Sequence, residues 1–536
     1  MTSPHAHWHS RRQTLWNAAS SWADLICQGL IGLVTVPFLL ASLRQDGFGT
    51  FCVLNMIIVY ASYIDVGIRS GIGRDLTESV VHNDGKRFTS LLASSCAINT
   101  GLALCGFCTL YFLSEPLVRL LGVPVAQIPT ASAILPWYCG TLLFVALIAP
   151  IFSAVLTAFN RYDIGNAIRS ATSLIPPFVA LPILSSSNDP LYVWCAVTCG
   201  SQLAFLGCTA FAAISLCRRL VDPSAAVLSL EFWNTVRFGL NIFATQFSSM
   251  LGSQSDTWAI SAFKGASELA FYNPASRVAA LSRPFVAVLA NTLQTTATAR
   301  YVTADHNPLS QLLLRGTRYQ MLLGSLVFAC LVSCSFDFCR LWVGKSLGTK
   351  YTVVASLLIA MACVDLLEYA AGTQWPVLVG MRQVNYLLTT QILFTALNVV
   401  LTIVLVAYSP LGAYGAILAT AVANGLRRPL ICSYAAHACG LSARQYFRQS
   451  YLGPLLVGFC TTALGFLLAT ATPSSNWCHL AARVVAIGCG WALFVTLIGL
   501  TSEERLWLRQ HGLLVVSATG HRAQIFCTRV WQALGF

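Results

Sequence analysis

The chain has 536 residues, of which 56% are hydrophobic and only 10% charged, with a mean hydropathy of +0.69. Such a composition excludes a water-soluble protein with an ordinary polar shell and places the chain in a lipid bilayer. The formal net charge of +13 raises nucleic acid and acidic lipid as partners, and the placement of the basic residues has to decide between them.

Roughly 20 apolar residues are needed to cross about 30 Å of hydrocarbon, and about fourteen stretches meet that length. In chain order they open near Leu15, Gly47, Phe88, Thr130, Asp163, Pro190, Val236, Glu268, Thr317, Tyr351, Val384, Leu411, Phe447 and Leu480. The segments occur twice in the same order at an offset of roughly 221 residues. Thr130 then maps onto Tyr351, Asp163 onto Val384, Pro190 onto Leu411, and even Arg161 falls on Arg382. The predicted class is all-α and polytopic. Two six-helix lobes, 1–222 and 223–440, meet at the Asp222-Pro223 breaker. Two further helices follow in 441–500, and the tail 501–536 carries arginines and tryptophans suited to the inner membrane surface. Six crossings are an even number, so both lobes share one orientation and their pseudo-twofold axis runs along the membrane normal.

With the N-terminus cytoplasmic, about 23 of the 32 Lys and Arg lie inside and about 7 outside. Both termini are therefore expected on the cytoplasmic side. The inner set includes Arg11, Arg12, Arg69, Arg74, Lys86, Arg87, Arg218, Arg219, Arg427 and Arg428, which orient spans and touch anionic headgroups. Membrane lipid is the expected partner of this charge, and nucleic acid is not.

Several motifs are weak in context. Cys105 and Cys108 form a C-x-x-C inside the third span without a basic neighbour, so the cysteines read as small buried hydrophobes. Arg11-Arg12 precedes an apolar stretch too long for an export signal core. His5, His7 and His9 lack a fourth ligand nearby. No nucleotide loop, H-E-x-x-H, G-x-S-x-G or dinucleotide fingerprint is present, so neither an enzyme nor a cofactor is expected.

Three polar features lie inside the spans. In the first, Asn17, Ser21, Asp24, Gln28 and Thr35 fall within about 40° of one another on a helix, and lipid cannot solvate such a stripe. The seventh span repeats the pattern with Asn241, Thr245, Ser248, Gly252 and Ser255. Two polar faces point to a central cavity between the lobes, and interhelical hydrogen bonding is the competing reading. In the eighth span, Arg277 and Arg283 each cost at least about 2.5 kcal/mol near the bilayer centre. Their forked donors suit phosphate oxygens, with Arg277 favoured for the cavity and an ion pair, for instance with Asp24, as the alternative. In the tenth span, Asp365 and Glu368 sit one turn apart and would hold a proton or Na⁺, or else pair with a nearby Arg. The repeat copy lacks them, since the offset lands on Phe144 and Leu147.

Local sequence then becomes specific. Leu43-Arg44-Gln45-Asp46-Gly47-Phe48-Gly49, Asp65-Val66-Gly67-Ile68, Phe159-Asn160-Arg161-Tyr162-Asp163, Ala270-Phe271-Tyr272 before Arg277, and Leu341-Trp342-Val343-Gly344 occur in order. Together they resemble the Wzx-type polysaccharide flippases of the multidrug/oligosaccharidyl-lipid/polysaccharide (MOP) exporter superfamily. The resemblance covers roughly residues 12–440. It implies an inner-membrane transporter that alternates access and moves an undecaprenyl-pyrophosphate-linked oligosaccharide outward for surface polysaccharide synthesis. It also implies a gradient of H⁺ or Na⁺ as the coupling source, with a polymerase and a chain-length regulator as neighbours. Arg277, Arg283, Asp24, Asn17, Gln28 and Asn241 are the expected substrate contacts, and Asp365 and Glu368 the expected ion-coupling pair. Related flippases use a basic residue in the first helix, where this chain has Asp24. A multidrug or small-cation antiporter of the same superfamily is the main rival, and a membrane polysaccharide polymerase or ligase a more distant one.

Overall fold

The computed structural model describes residues 11–62, 72, 75–80, 82–184, 187, 189–218, 220–222, 250–252, 254–287, 306–369, 371–381, 383–472 and 474–500. The described part is helical, as the sequence predicts, and nine of its stretches are long and apolar enough to cross a membrane. Three of these, 162–184, 310–366 and 443–471, run over two successive helices. Two compact units divide at Ala270 and Phe271, whereas the sequence repeat divides at 222.

The first unit opens with α1 (Arg11–Ser62), broken at Arg44, whose φ of 57° interrupts two helical arms. This break is the expected turn between the first and second spans. Next come α2 (Gly85–Phe112), capped by Asp84 accepting from the Arg87 amide, and the short α3 (Ser114–Leu120). The buried helix α4 (Ile128–Ala158) packs between α2 and α7 (Pro190–Cys217) and has Tyr138 and Leu147 fully enclosed. The fifth predicted span is two pieces, α5 (Tyr162–Ser173) and α6 (Ile175–Leu184). Pro176 and Pro177 follow the break, and a proline cannot donate to the preceding turn.

Segment 254–268 ends the first unit and is sewn to it by backbone. The Ala266 amide donates to the Gly122 carbonyl at 3.0 Å, the Ser261 hydroxyl to the Leu121 carbonyl, and the Ser267 hydroxyl to Asp46 at 2.6 Å. Glycine permits this approach: a Cβ on Gly49 would collide with the Ala266 carbonyl, and Gly122 combines a φ of +69° with the Ser261 carbonyl overhead.

The second unit contains α8 (Leu269–Ala287), the long α9 (His306–Leu347), α10 (Tyr351–Tyr369) and α11 (Ala371–Gly380). It continues with α12 (Val384–Tyr408), α13 (Ala413–Ala438), α14 (Ala443–Phe447), α15 (Gly453–Ala471) and α16 (Trp477–Phe494). Starts expected at Pro190, Tyr351 and Val384 fall on observed helix starts, while α9 begins well ahead of the expected Thr317. Helices α10 and α15 both pack along α9. The two appended helices are fastened to α9 at one end by a charge cluster, in which Asp337 accepts from Arg483 at 2.7 Å and from Arg340 at 3.0 Å. Arg483 also donates to the Thr472 carbonyl, and the Trp491 indole donates to the Leu322 carbonyl at 3.1 Å.

Because the atom facing Gly49 belongs to backbone, it cannot swing aside. Gly49→Val is expected to destabilise the protein by about 1–3 kcal/mol, read as a lower thermal midpoint in detergent. An unchanged midpoint would contradict the close approach.

Candidate functional site

The polar stripe of α1 is engaged from Asn17 to Gln28 by α5 and the residues just before it. Asn17 donates to the Asn160 carbonyl and side chain at 3.1 and 2.9 Å and accepts from the Asp163 amide at 3.3 Å. Asn166 donates to Ser20 and Ser21, both at 3.0 Å. Buried Asp24 accepts from Ser170 at 2.8 Å, from Gln28 at 3.4 Å and from Arg169 at 3.4 Å, and Gln28 also donates to Ser173 at 3.0 Å. Interhelical hydrogen bonding, the competing reading of the sequence, is thus what these atoms make in this structure. Asp24 takes its cation from Arg169 within its own unit. Thr35 is buried on the same face. Asn241, Thr245 and Ser248 lie outside the described residues.

In the second unit, α8 presents both of its arginines. Arg277 is exposed. The Arg283 guanidinium reaches α10 and donates through Nε and Nη2 to a single oxygen, Asp365 Oδ1, at 3.2 and 3.0 Å. The pair is unequal: 61% of the Arg283 side chain is exposed but only 3% of Asp365. Beside it, the Tyr369 and Ser282 hydroxyls bond at 3.0 Å, locking α8 against α10 one residue from Arg283. Gly324 of α9 makes room for the Tyr369 ring, which a Cβ there would strike. Asp365 Oδ2 is buried and receives no hydrogen bond from any described residue.

Glu368 faces another partner. Arg428 of α13 grips it with two donors, Nε lying 3.0 Å from Oε1 and Nη2 contacting Oε2. The two carboxylates one turn apart therefore do not share a ligand in this structure, since each has its own arginine. Arg427 and Arg428 are both buried within α13, at 8% and 9% exposure. A buried polar chain missed by sequence reasoning extends from this pair. Gln374 of α11 donates to Tyr446 and Tyr451 at 3.1 and 2.7 Å, and the Tyr446 and Thr317 hydroxyls bond at 2.8 Å. Its members come from four separate segments, so no local spacing announces it.

Comparison with known proteins matches this architecture. The chain has the fold of the lipid II flippase MurJ in its inward closed conformation, with TM-score 0.67 and 13% identity over 90% of this chain and 98% of that one. An inward-facing multidrug resistance MATE family transporter of the MOP superfamily follows at TM-score 0.61 and 16% identity, covering 80% and 94%. The fold is that of a MOP-superfamily membrane transporter. Residues 16–293 match the family described as polysaccharide biosynthesis protein, and the chain belongs to that family. EpsK, an uncharacterised membrane protein of Bacillus subtilis (strain 168), is 23% identical over 508 residues, spanning 91% of this chain and 96% of its own length.

Arg428 is buried and Glu368 half-buried, so removing one member of the bidentate pair leaves a poorly compensated charge, whereas removing both does not. Glu368→Gln or Arg428→Met alone is expected to cost about 3 kcal/mol, with the double variant recovering much of it. Thermal unfolding of the four proteins checks this, and additive losses would contradict the pairing.

Proposed function

We propose that the protein moves an undecaprenyl-pyrophosphate-linked oligosaccharide across the bacterial inner membrane by alternating access, supplying surface polysaccharide synthesis, with both termini cytoplasmic. One observation carries the reading. Helix α8 offers two exposed guanidinium groups, Arg277 and Arg283, in a segment set at bilayer depth by its sequence. Such groups are costly in lipid and match the oxygens of a pyrophosphate in geometry and charge. The polyprenyl tail can remain in the hydrocarbon, so only the headgroup requires a polar route. The names of MurJ, a lipid II flippase, and of the matched family support a lipid-linked glycan as cargo.

The rival reading, export of a cationic drug, draws on the MATE likeness. A cationic cargo needs an available carboxylate, but Asp365 and Glu368 are each engaged by an arginine. The anionic cargo is therefore the better match. A gradient of H⁺ or Na⁺ drives the cycle, and a polymerase and chain-length regulator act beside the flippase on its product.

Deletion of the gene is expected to accumulate lipid-linked oligosaccharide in the cytoplasmic leaflet and to abolish the surface polymer. Arg277→Ala and Arg283→Ala are each expected to restore export at least about tenfold less well than wild type, equivalent to losing about 1.4 kcal/mol or more. Unchanged lipid intermediates combined with raised drug sensitivity in the deletion strain would overturn the reading in favour of drug export.

A further inference from the structure

Four arginines hold an enclosed Nε that donates to no acceptor among the described residues: Arg87, Arg318, Arg427 and Arg483. Three of them still have a counterpart, since Arg87 pairs with Glu78, Arg483 pairs with Asp337, and Arg318 lies over the Tyr319 ring. Arg427 has no ion pair, hydrogen bond or aromatic ring among the described residues, although it is only 8% exposed. The described carboxylates of the second unit are already taken. Asp337 is held by Arg340 and Arg483, Asp365 by Arg283, and Glu368 by Arg428. Both Glu368 oxygens are gripped by Arg428, so the adjacent arginines of α13 set two positive charges against one negative one. A guanidinium enclosed in protein is costly until it gains a counter-charge and acceptors for its N–H groups.

The bonded positions on either side of Arg427 show what stands opposite it. Helices α12 and α13 run antiparallel, with Asn398 donating to Thr420 at 2.9 Å and Tyr434 donating to Gln383 at 2.8 Å. Between these two bonds, and seven residues from the first along both helices, come Gln391 and Arg427, on the same faces as Asn398 and Thr420. Gln391 donates its amide nitrogen to Thr395 at 3.1 Å and makes no hydrogen bond with Arg427. We infer that a small monovalent anion, of which chloride is the type, binds between α12 and α13. It accepts from the Arg427 guanidinium and from the second N–H of the Gln391 amide. One surplus positive charge calls for one negative charge. Enclosure sets the size: Arg427 is too covered to meet a lipid-linked pyrophosphate, whereas 61% of the Arg283 side chain is exposed. The anion is therefore a resident counter-ion, and the inference stands independently of the proposed cargo. Its effect is on the α10–α13 contact, because an uncompensated Arg427 competes with Arg428 for Glu368.

The test uses the full chain in lipid nanodiscs, unfolded by heat in sodium gluconate, sodium chloride or sodium bromide at one ionic strength. Gluconate is too bulky to enter. Wild type is therefore expected to gain about 2–4 °C in its thermal midpoint, saturably, as chloride or bromide replaces gluconate. Arg427→Met is expected to lose this halide dependence. Arg444→Ala, which removes an exposed arginine of α14, is expected to keep it. Crystals of the wild-type protein grown in bromide are expected to show anomalous scattering against the Arg427 guanidinium, which decides the matter should Arg427→Met fail to fold. A wild-type midpoint indifferent to halide, a dependence that survives in Arg427→Met, or bromide found only at other places would each overturn the inference.

Discussion

A charge inside a bilayer has no water to return to, so it must find a partner in protein or serve a ligand. This constraint organises the polar interior of the molecule. Asp24 is met by Arg169 and Ser170, Glu368 by Arg428, and Asp337 by Arg483 and Arg340. Asp337 and Arg340 share α9, and each of the other pairs fixes one helix against another. The Arg283–Asp365 pair is the more unequal, with its carboxylate more enclosed and its arginine more exposed than in the Asp24–Arg169 pair.

Much of the framework was legible in the sequence for simple reasons. Apolar runs bounded by turn residues gave the starts at Pro190, Tyr351 and Val384. The presence of polar residues at membrane depth was equally plain from composition. What they touch was not, because the bonded partners lie far apart along the chain: 145 residues for Arg169 and Asp24, 82 for Arg283 and Asp365, 60 for Arg428 and Glu368. A polar stripe such as Asn17, Asp24 and Gln28 looks the same whether it lines water or meets a neighbouring polar helix. Here Asn166, Ser170 and Ser173 of α5 supply the complement.

The two kinds of charge pair fit a transporter whose rigid parts must survive repeated movement. Bidentate, enclosed contacts such as Glu368 with Arg428 set helix registers within the second unit, and the Gln374, Tyr446 and Tyr451 network ties that register to the segment leading into the appended helices. In the Arg283–Asp365 contact the arginine stays largely exposed while the carboxylate is enclosed.

The central claim is that the protein reads the pyrophosphate of its cargo through arginine. The most direct measurement is leaflet-resolved translocation in proteoliposomes, comparing a polyprenyl-pyrophosphate-linked oligosaccharide with the same glycan carried on an uncharged polyprenyl ether. The expected result is protein-dependent movement of the charged lipid, with the uncharged one moving no faster than in protein-free vesicles. Equal protein-dependent movement of both would contradict the account.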